Sequence, residues 1–303
     1  GFTPIYFRFA KHPPLIDDDS GVQIHHLNPE EGFETFLANM HELIAAAGRG
    51  GFYIFDCLSD LATEWHSDQM LGNFFMLTCP YLLDMEAIAY FGLLRNRHST
   101  HATSAISETT QVLLDVYRHR EKLYVHPWKV QSRYSPTMHM LHVWEGDEMR
   151  PITESATISE IKTSVPWGRL GSSSQELGIW NRRRAQAREA LRDRSEDPGD
   201  SRAKEECFQR LLRMTITRDE RMLALAEKYF TLEDILDIER RIIGTGLIGG
   251  KAVGMLLARA IIRQDHGELA QRLEPHDSFY VGSDVFYTFL VRNGIWWVRE
   301  KQK

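Results

Sequence analysis

The chain has 303 residues, 43% of them hydrophobic and 26% charged, with a formal net charge of −6. This composition is that of a globular protein with a sizeable core, and the acidic balance disfavours a nucleic-acid-binding protein, which usually has a strongly basic surface. No run of about 18 apolar residues suggests a membrane span. Cys57, Cys79 and Cys207 are sparse and unpatterned, as is typical of free thiols in a reducing compartment. We therefore expect a cytoplasmic protein with no membrane or nucleic-acid partner.

The first part of the chain predicts strands that alternate with helices. Runs of β-forming residues at 5–9, 22–27 and 51–56 are typical of strands, and the third run is apolar enough to be buried on both faces. Apolar residues recur at helical spacing from Phe33 to Ala47, which predicts a helix between the second and third strands.

The same alternation continues to about residue 150. Further elements are expected as a helix at 67–78, a strand at 87–94, a helix at 103–118 and strands at 123–130 and 138–144. Strands alternating with helices indicate the α/β class, with a mostly parallel sheet covered by helices on both faces. We assign residues 1–150 to this first domain.

The remainder of the chain predicts mainly helices. Residues 151–229 are expected to form a linker and helical region, and residues 230–303 a third domain. Within them, residues 203–243 predict helices, with a capping box expected from Thr231 to Asp234. The basic run at 180–194 has the charge to bind phosphate, but Glu189 and other acidic residues interleave with its arginines. A solvated helix is therefore the favoured interpretation of this run.

The strand from Phe52 to Asp56 ends in a candidate metal ligand. Four apolar residues followed by a carboxylate match the Walker B pattern. A buried parallel strand delivers such a carboxylate to the carboxyl edge of the sheet, where Mg²⁺ and phosphates bind. The alternative for Asp56 is a structural or helix-capping role, because any buried strand that ends in Asp matches this short pattern.

In the order of its elements, residues 4–146 resemble the later two-thirds of a RecA-superfamily ATPase domain, close to the circadian-clock ATPase branch. The resemblance implies that Lys129 and Arg133 reach a nucleotide held by a neighbouring subunit, although their spacing departs from the Lys-x-Arg of that branch. The phosphate-binding loop, GxxxxGK[ST], does not occur. Residues 10–12 also lack the two carboxylates that activate water in that branch. These departures favour a regulatory or oligomerisation module.

A glycine-rich segment precedes the last predicted helices. Its GxGxxG pattern at Gly244 does not indicate a Rossmann fold, because residues 235–241 carry charges at helical spacing and do not form a strand. The Walker A motif does not match either, since Ala252 replaces its Ser or Thr. What remains is a glycine turn that leads into an apolar helix and can bind an anion at the helix N-terminus.

The turn Gly249-Gly250-Lys251, followed by a helix, a strand and a helix, resembles the start of the ATP-grasp-like domain of phosphoenolpyruvate synthase and pyruvate phosphate dikinase. The resemblance covers residues 230–298 and implies that Lys251 contacts nucleotide phosphates. It predicts that the chain belongs to a parent ATP-dependent phosphotransferase that uses ATP and Mg²⁺. The family's remaining nucleotide contacts have no counterpart here, so we expect this chain alone to bind ATP weakly or not at all.

Overall fold

The structure, a computed structural model, describes residues 4–17, 20–95, 97–164, 178–192, 198–274 and 277–302. It is an α/β protein with a four-stranded parallel sheet, a four-stranded antiparallel sheet and a helical C-terminal region. No described helix is both long enough and apolar enough to cross a bilayer.

The strands that the structure describes are β1 (Ile5–Arg8), β2 (Gln23–His26), β3 (Phe52–Asp56), β4 (Ile88–Phe91), β5 (Val112–His119), β6 (Lys122–Val130), β7 (His142–Glu145), β8 (Glu148–Pro151), β9 (Ile242–Ile243) and β10 (Tyr280–Val281). The described helices are α1 (Phe33–Ala47), α2 (Leu58–Glu64), α3 (Asp68–Asp84), α4 (Thr100–Thr109), α5 (Ser155–Ser164), α6 (Ile179–Arg192), α7 (Pro198–Thr215), α8 (Glu220–Tyr229), α9 (Leu232–Arg240), α10 (Gly250–Asp265), α11 (Gly267–Ala270), α12 (Ser283–Arg292) and α13 (Trp296–Glu300). A short 3-10 helix, Pro29–Glu31, precedes α1.

The parallel sheet has the strand order β2-β1-β3-β4, and the four strands predicted before residue 95 are confirmed. Its centre is aromatic: Phe7 of β1 and Tyr53 and Phe55 of β3 are fully buried. Phe36 of α1 and Phe74 of α3 are packed into the same core. Each large apolar side chain removed from water stabilises the fold by roughly 1.5–3 kcal/mol, so this cluster dominates the first core.

The antiparallel sheet, with strand order β5-β6-β7-β8, corrects the prediction of one mostly parallel sheet over residues 1–150. The predicted helix at 103–118 is also wrong beyond α4, because β5 begins at Val112. Arg120 and Glu121 have φ angles of 47° and 64° and form the two-residue turn between β5 and β6. Such a turn matches the twist of paired strands and closes a hairpin.

Two further boundaries of this sheet differ from the sequence prediction. The strand expected at 138–144 begins only at His142, because turns occupy the residues before it. A second hairpin, which turns at Gly146 with a φ of 60°, adds the unpredicted strand β8. The sheet packs on α5 through a small core of Tyr117, Tyr124, Leu141 and Ile161.

The helices after residue 178 form a second core. The helical prediction for 203–243 is confirmed by α7, α8 and α9 as far as Arg240, but Ile242 and Ile243 form β9. Thr231 and Asp234 form the predicted capping box at the start of α9, in which each side chain bonds to the other residue's backbone. Buried residues of α7, α9 and α10, including Leu212, Ile235 and Val253, pack together.

The last helices return to the first core. Leu290 of α12 and Trp296 of α13 are buried in the cluster that covers the parallel sheet. The rings of Trp296 and Phe33 meet edge to face with centroids 5.5 Å apart. The Tyr287 hydroxyl donates to Glu34 Oε1 at 3.0 Å. The C-terminal region therefore packs directly against the N-terminal sheet unit.

The carboxylate of Glu239 in α9 is buried in the second core without a well-aligned hydrogen bond. It is 3% exposed, and its Oε2 lies 3.0 Å from Nε of Arg184, but the pair has no aligned hydrogen bond. Burial raises the pKa of Glu239 from 4.5 to about 7, and the nearby charges of Arg184, Arg188 and Arg240 only partly offset this. The carboxyl group therefore resists ionisation in the folded state.

We predict that this carboxyl group lowers stability as pH rises from about 5 to 8, since the folded state retains a proton that the unfolded state releases. Replacing it in Glu239→Gln should raise the free energy of unfolding, relative to wild type, by roughly 2 kcal/mol more at pH 8 than at pH 5. Denaturant unfolding at both pH values measures this difference. Glu233→Gln, at an exposed position of α9, is the control, and equal pH responses in both variants would contradict the prediction.

Candidate functional site

The glycine-rich segment after α9 is a tightly packed turn. Gly244 and Gly246 have φ angles of 85° and 87°, a region that side chains other than glycine rarely adopt. A Cβ atom at Gly244 would collide with the Asp284 carboxylate. Glycine is therefore required here both by the backbone conformation and by the close approach of α12.

Asp284 holds this turn in place. Its side chain, 5% exposed at residue level, accepts hydrogen bonds from the Thr245 backbone N–H at 2.7 Å and from the Thr245 hydroxyl at 2.6 Å. Burial raises the pKa of Asp284, while its bonds to Thr245 lower it. Thr245 Oγ1 also lies 2.8 Å from Oγ of Ser67, the N-cap of α3. The turn is thus fixed to two other elements.

The N-terminus of α10 emerges from this fixed turn. No side chain caps the helix at its N-cap residue, Gly249. Gly249 and Gly250 are exposed, and Cβ atoms added there would meet nothing within 4 Å. Lys251 is exposed in the first turn of this 16-residue helix. Unpaired amides, the helix dipole and one cation are the components of an anion site.

Asp56 lies at the carboxyl end of β3, beside the end of β1, where connections from the sheet leave in opposite directions. Ligands bind at such switch points in open α/β sheets. Both carboxylate oxygens are already engaged: Tyr6 donates its hydroxyl to Oδ2, and His12 Nε2 lies 3.0 Å from Oδ1. Asp56 is also 9% exposed, so it is internally bonded and largely shielded from solvent.

The negative charge of Asp56 helps to shift the pKa values of its two partners. The pKa of Tyr6 is raised, first by burial and then by Asp56. The pKa of His12 is raised by its bond to the Pro13 carbonyl, 2.7 Å from Nδ1, and by Asp56. Both ring nitrogens of His12 therefore face acceptors, an arrangement that favours the protonated imidazole.

Lys129 and Arg133, the other residues predicted to contact nucleotide, lie outside the parallel sheet. Lys129 is in β6 of the antiparallel sheet, and its Nζ donates to the carbonyl oxygens of Ser107 and Glu108 at 2.9 and 3.0 Å. These carbonyls end α4, so the lysine stabilises a helix C-terminus. Arg133 is exposed in the loop after β6. The structure places Asp56, Lys129 and Lys251 on three separate elements.

A buried Ser–His–Asp arrangement connects α2, α3 and the loop after β4, and sequence reasoning missed it. Ser59 Oγ lies 2.7 Å from His98 Nε2, and His98 Nδ1 lies 3.0 Å from Asp68 Oδ1. Asp68 Oδ2 also accepts the Ser99 N–H at 3.1 Å, and Ser59 Oγ accepts the Leu94 N–H at 2.8 Å. These are the hydrogen bonds of a nucleophile, a base and an orienting acid.

The burial of these three side chains indicates a structural role for the arrangement. Ser59 is 4% exposed, Asp68 6%, and the His98 side chain 2%. Ser59, Asp68 and His98 do not line the cleft of about 460 Å³ between α3 and α13 or the cleft of about 300 Å³ between α9 and α10. Ser59 therefore holds the loop after β4 through hydrogen bonds and is too buried to attack a substrate. No local motif could have revealed it, because its three members come from separate segments.

Metal-binding residues do not cluster in the described ranges: nowhere in them do three His, Cys, Asp or Glu side chains group as a metal site would. The three cysteines are free thiols, and burial raises the pKa of the Cys57 and Cys79 thiols.

No protein-family model matches the chain, and no curated protein is significantly similar to it. The residues and their geometry are therefore the basis for assigning a function.

We predict that Ser59→Ala lowers the free energy of unfolding by about 1–3 kcal/mol, because it leaves the Leu94 N–H and His98 Nε2 buried without partners. Denaturant titration is the measurement. Ser104→Ala, which removes an exposed hydroxyl bonded to the Thr100 carbonyl, is the matched control and should change stability by less than about 0.5 kcal/mol. Labelling of Ser59 by a serine-directed phosphonate would contradict its role as a buried structural residue.

Proposed function

We propose that this chain is part of an ATP-dependent phosphotransferase related to phosphoenolpyruvate synthase and pyruvate phosphate dikinase, and that it binds nucleotide phosphate at the N-terminus of α10. One observation carries the proposal. Helix α10 has 16 residues and begins at Gly250 without a side-chain cap. Gly249 and Gly250 are exposed, nothing lies within 4 Å of their Cβ positions, and Lys251 is in the first turn.

The chemistry of this position favours a phosphate over other ligands. Helix N-terminal amides point at the anion and the helix dipole attracts negative charge, while a lysine supplies a compact point charge. The turn behind the helix is fixed by Asp284, so little ordering is needed when the anion binds. Helix α10, strand β10 and helix α12 follow this turn in chain order, as expected from the resemblance.

The expected affinity of this site is low. Charge-assisted hydrogen bonds from a lysine and a glycine turn contribute roughly 2–4 kcal/mol, whereas micromolar affinity requires about 8 kcal/mol. ATP should therefore bind in the millimolar range or more weakly, unless Mg²⁺ and further segments of a longer polypeptide complete the site.

We predict that Lys251→Ala weakens binding of ATP at least tenfold, because the lysine supplies the only full charge of this turn. The melting temperature should stay within a few degrees of wild type, since an exposed lysine contributes little to stability. The measurement is a chemical-shift titration with ATP, followed at the backbone amides of residues 249–253.

Lys228→Ala, which removes an exposed lysine from α8, is the control and should bind ATP as wild type does. If Lys251→Ala and wild type gave the same titration curve, α10 would not be the phosphate site. In a longer polypeptide with the remaining catalytic parts, the same substitution should abolish ATP-dependent phosphoryl transfer.

A second candidate function is that the parallel-sheet unit is a regulatory or oligomerisation module that does not hydrolyse ATP. It is favoured by the closed environment of Asp56, whose oxygens are both bonded to protein side chains. A carboxylate held in this way would have to release Tyr6 or His12 before it could coordinate Mg²⁺ with both oxygens. This candidate is compatible with phosphate binding at α10.

For this second candidate, we predict that Mg²⁺ changes the melting temperature of wild type and of Asp56→Asn equally, within about 1 °C. The substitution itself should cost about 1–3 kcal/mol, because Tyr6 and His12 lose a charged acceptor. Thermal unfolding with and without millimolar Mg²⁺ checks both statements. A Mg²⁺-dependent stabilisation of several degrees in wild type alone would identify Asp56 as a metal ligand.

A further inference from the structure

The cleft of about 460 Å³ between α3 and the last two helices is large enough for a small organic ligand. One wall is the C-terminal half of α3, and the other is formed by the end of α12, the turn after it and the start of α13. We call it the aromatic cleft, because a phenol ring lies on one wall and indole rings lie on the other. Its lining includes Met76, Pro80, Tyr81 and Asp84 of α3, Val291 of α12 and Trp297 of α13.

Packed rings position the aromatic part of the cleft. The ring centroids of Tyr81 and Trp297 are 6.0 Å apart. His41 of α1 packs against both, with centroid distances of 4.4 Å to Tyr81 and 5.4 Å to Trp297. Burial lowers the pKa of His41 to about 4, so at neutral pH its imidazole is uncharged and does not repel a cation beside these rings. Trp297 is 41% exposed, which leaves part of its ring surface open to a ligand.

The electrostatics of the aromatic cleft favour a cation. Asp84 is exposed and is the last residue of α3, a helix of 17 residues with no basic residue in its last turn. A carboxylate at a helix C-terminus adds to the negative end of the helix dipole, and a cation placed there is stabilised by both. The C-terminal end of α12 also lines the cleft, at Val291 and Gly294. Two helix C-termini and one carboxylate therefore contribute negative potential to this cleft.

Two arginines lie near the cleft without lining it. Arg49 forms its ion pair with Glu86 at 2.8 Å, and the pKa of Arg49 is raised mainly by Glu86 and to a smaller extent by Asp84. Arg292 is exposed in the last turn of α12. The charged side chain that lines the cleft itself is that of Asp84. A cation in the cleft would therefore meet this carboxylate directly.

We propose that the aromatic cleft binds a small organic molecule with a methylated ammonium group, its cation over the rings of Tyr81 and Trp297 and beside the Asp84 carboxylate. Aromatic ring faces attract cations, and groups of such rings recognise quaternary ammonium ions. A primary ammonium has three N–H donors to satisfy. A quaternary ammonium has none and presents methyl groups, which suit the aliphatic lining at Met76 and Val291. The site shares no residue with the N-terminus of α10 and goes beyond the function proposed for that helix.

The test is a titration with millimolar choline, a soluble quaternary ammonium ion, at constant ionic strength. Fluorine NMR of fluorotryptophan-labelled protein follows binding, and the resonance of Trp297 is assigned by its loss in Trp297→Phe. We expect choline to shift this resonance to saturation. Dimethylbutanol, the neutral isostere in which carbon replaces the choline nitrogen, should bind about tenfold more weakly. Equal binding of the two compounds, or no saturable shift with choline, would overturn the proposal.

Substitution of Asp84 tests the contribution of the carboxylate. Asp84→Asn should weaken choline binding by about two- to fivefold, as expected for an exposed pair of opposite charges. Its Tm should equal or exceed that of wild type, because the substitution removes a negative charge from a helix C-terminus. Glu42→Gln, at an exposed position of α1, is the matched control and should bind choline as wild type does. Wild-type affinity in Asp84→Asn would overturn the proposal.

Substitution of Trp297 tests the contribution of the ring. Trp297→Leu keeps an apolar side chain and should weaken choline binding by about fivefold or more, whereas Trp297→Phe keeps a ring and should lose less. Saturation transfer to the choline methyl protons measures binding in both variants. Equal losses would show that the ring is not recognised and would overturn the proposal. So would evidence that a second copy fills the cleft, namely a wild-type dimer in sedimentation that Trp297→Leu dissociates.

Discussion

The buried carboxylate of Asp284 is the interaction on which the arrangement of the C-terminal region depends. It binds the backbone and hydroxyl of Thr245, and through Thr245 it reaches Ser67 at the start of α3. One side chain thereby joins the glycine turn, α12 and the helix that covers the parallel sheet. The turn held by this contact leads into α10, which begins at Gly250. A carboxylate removed from water is stable only where hydrogen bonds replace its hydration, and here those bonds also determine the local geometry.

Charged groups elsewhere in the chain differ in how completely neighbouring hydrogen bonds and opposite charges stabilise them. Asp56 and Asp68 each have both oxygens bonded to neighbouring side-chain or backbone donors. Glu239 meets one arginine in a poorly aligned pair. Complete compensation favours a structural role for the two aspartates, whereas the incompletely compensated Glu239 resists ionisation.

The sequence was sufficient to predict the parallel strands, because Phe52–Asp56 and its neighbours are short apolar runs between clear turn signals. It failed at β5, where Val112, Leu113 and Val116 fit a helical spacing as well as a strand. The turn that decides between them, at Arg120 and Glu121, has positive φ angles without the glycine or asparagine that usually marks such a hairpin. Gly249, Gly250 and Lys251 were placed correctly at a helix start. The bonds among Ser59, Asp68 and His98 were not predictable, because only tertiary packing brings these three segments together.

The return of the last helices to the first core has a consequence for synthesis of the protein. Tyr287 and Glu34, which are hydrogen-bonded, lie 253 residues apart in the chain, and Trp296 completes the aromatic cluster around Phe33. While the ribosome is still producing the middle of the polypeptide, the nascent N-terminal segment lacks the surface that covers Phe33. Its aromatic residues remain exposed and prone to non-specific association during that interval, as expected when contacts distant in sequence form late. Chaperone binding to the emerging chain should therefore persist until α13 has left the exit tunnel.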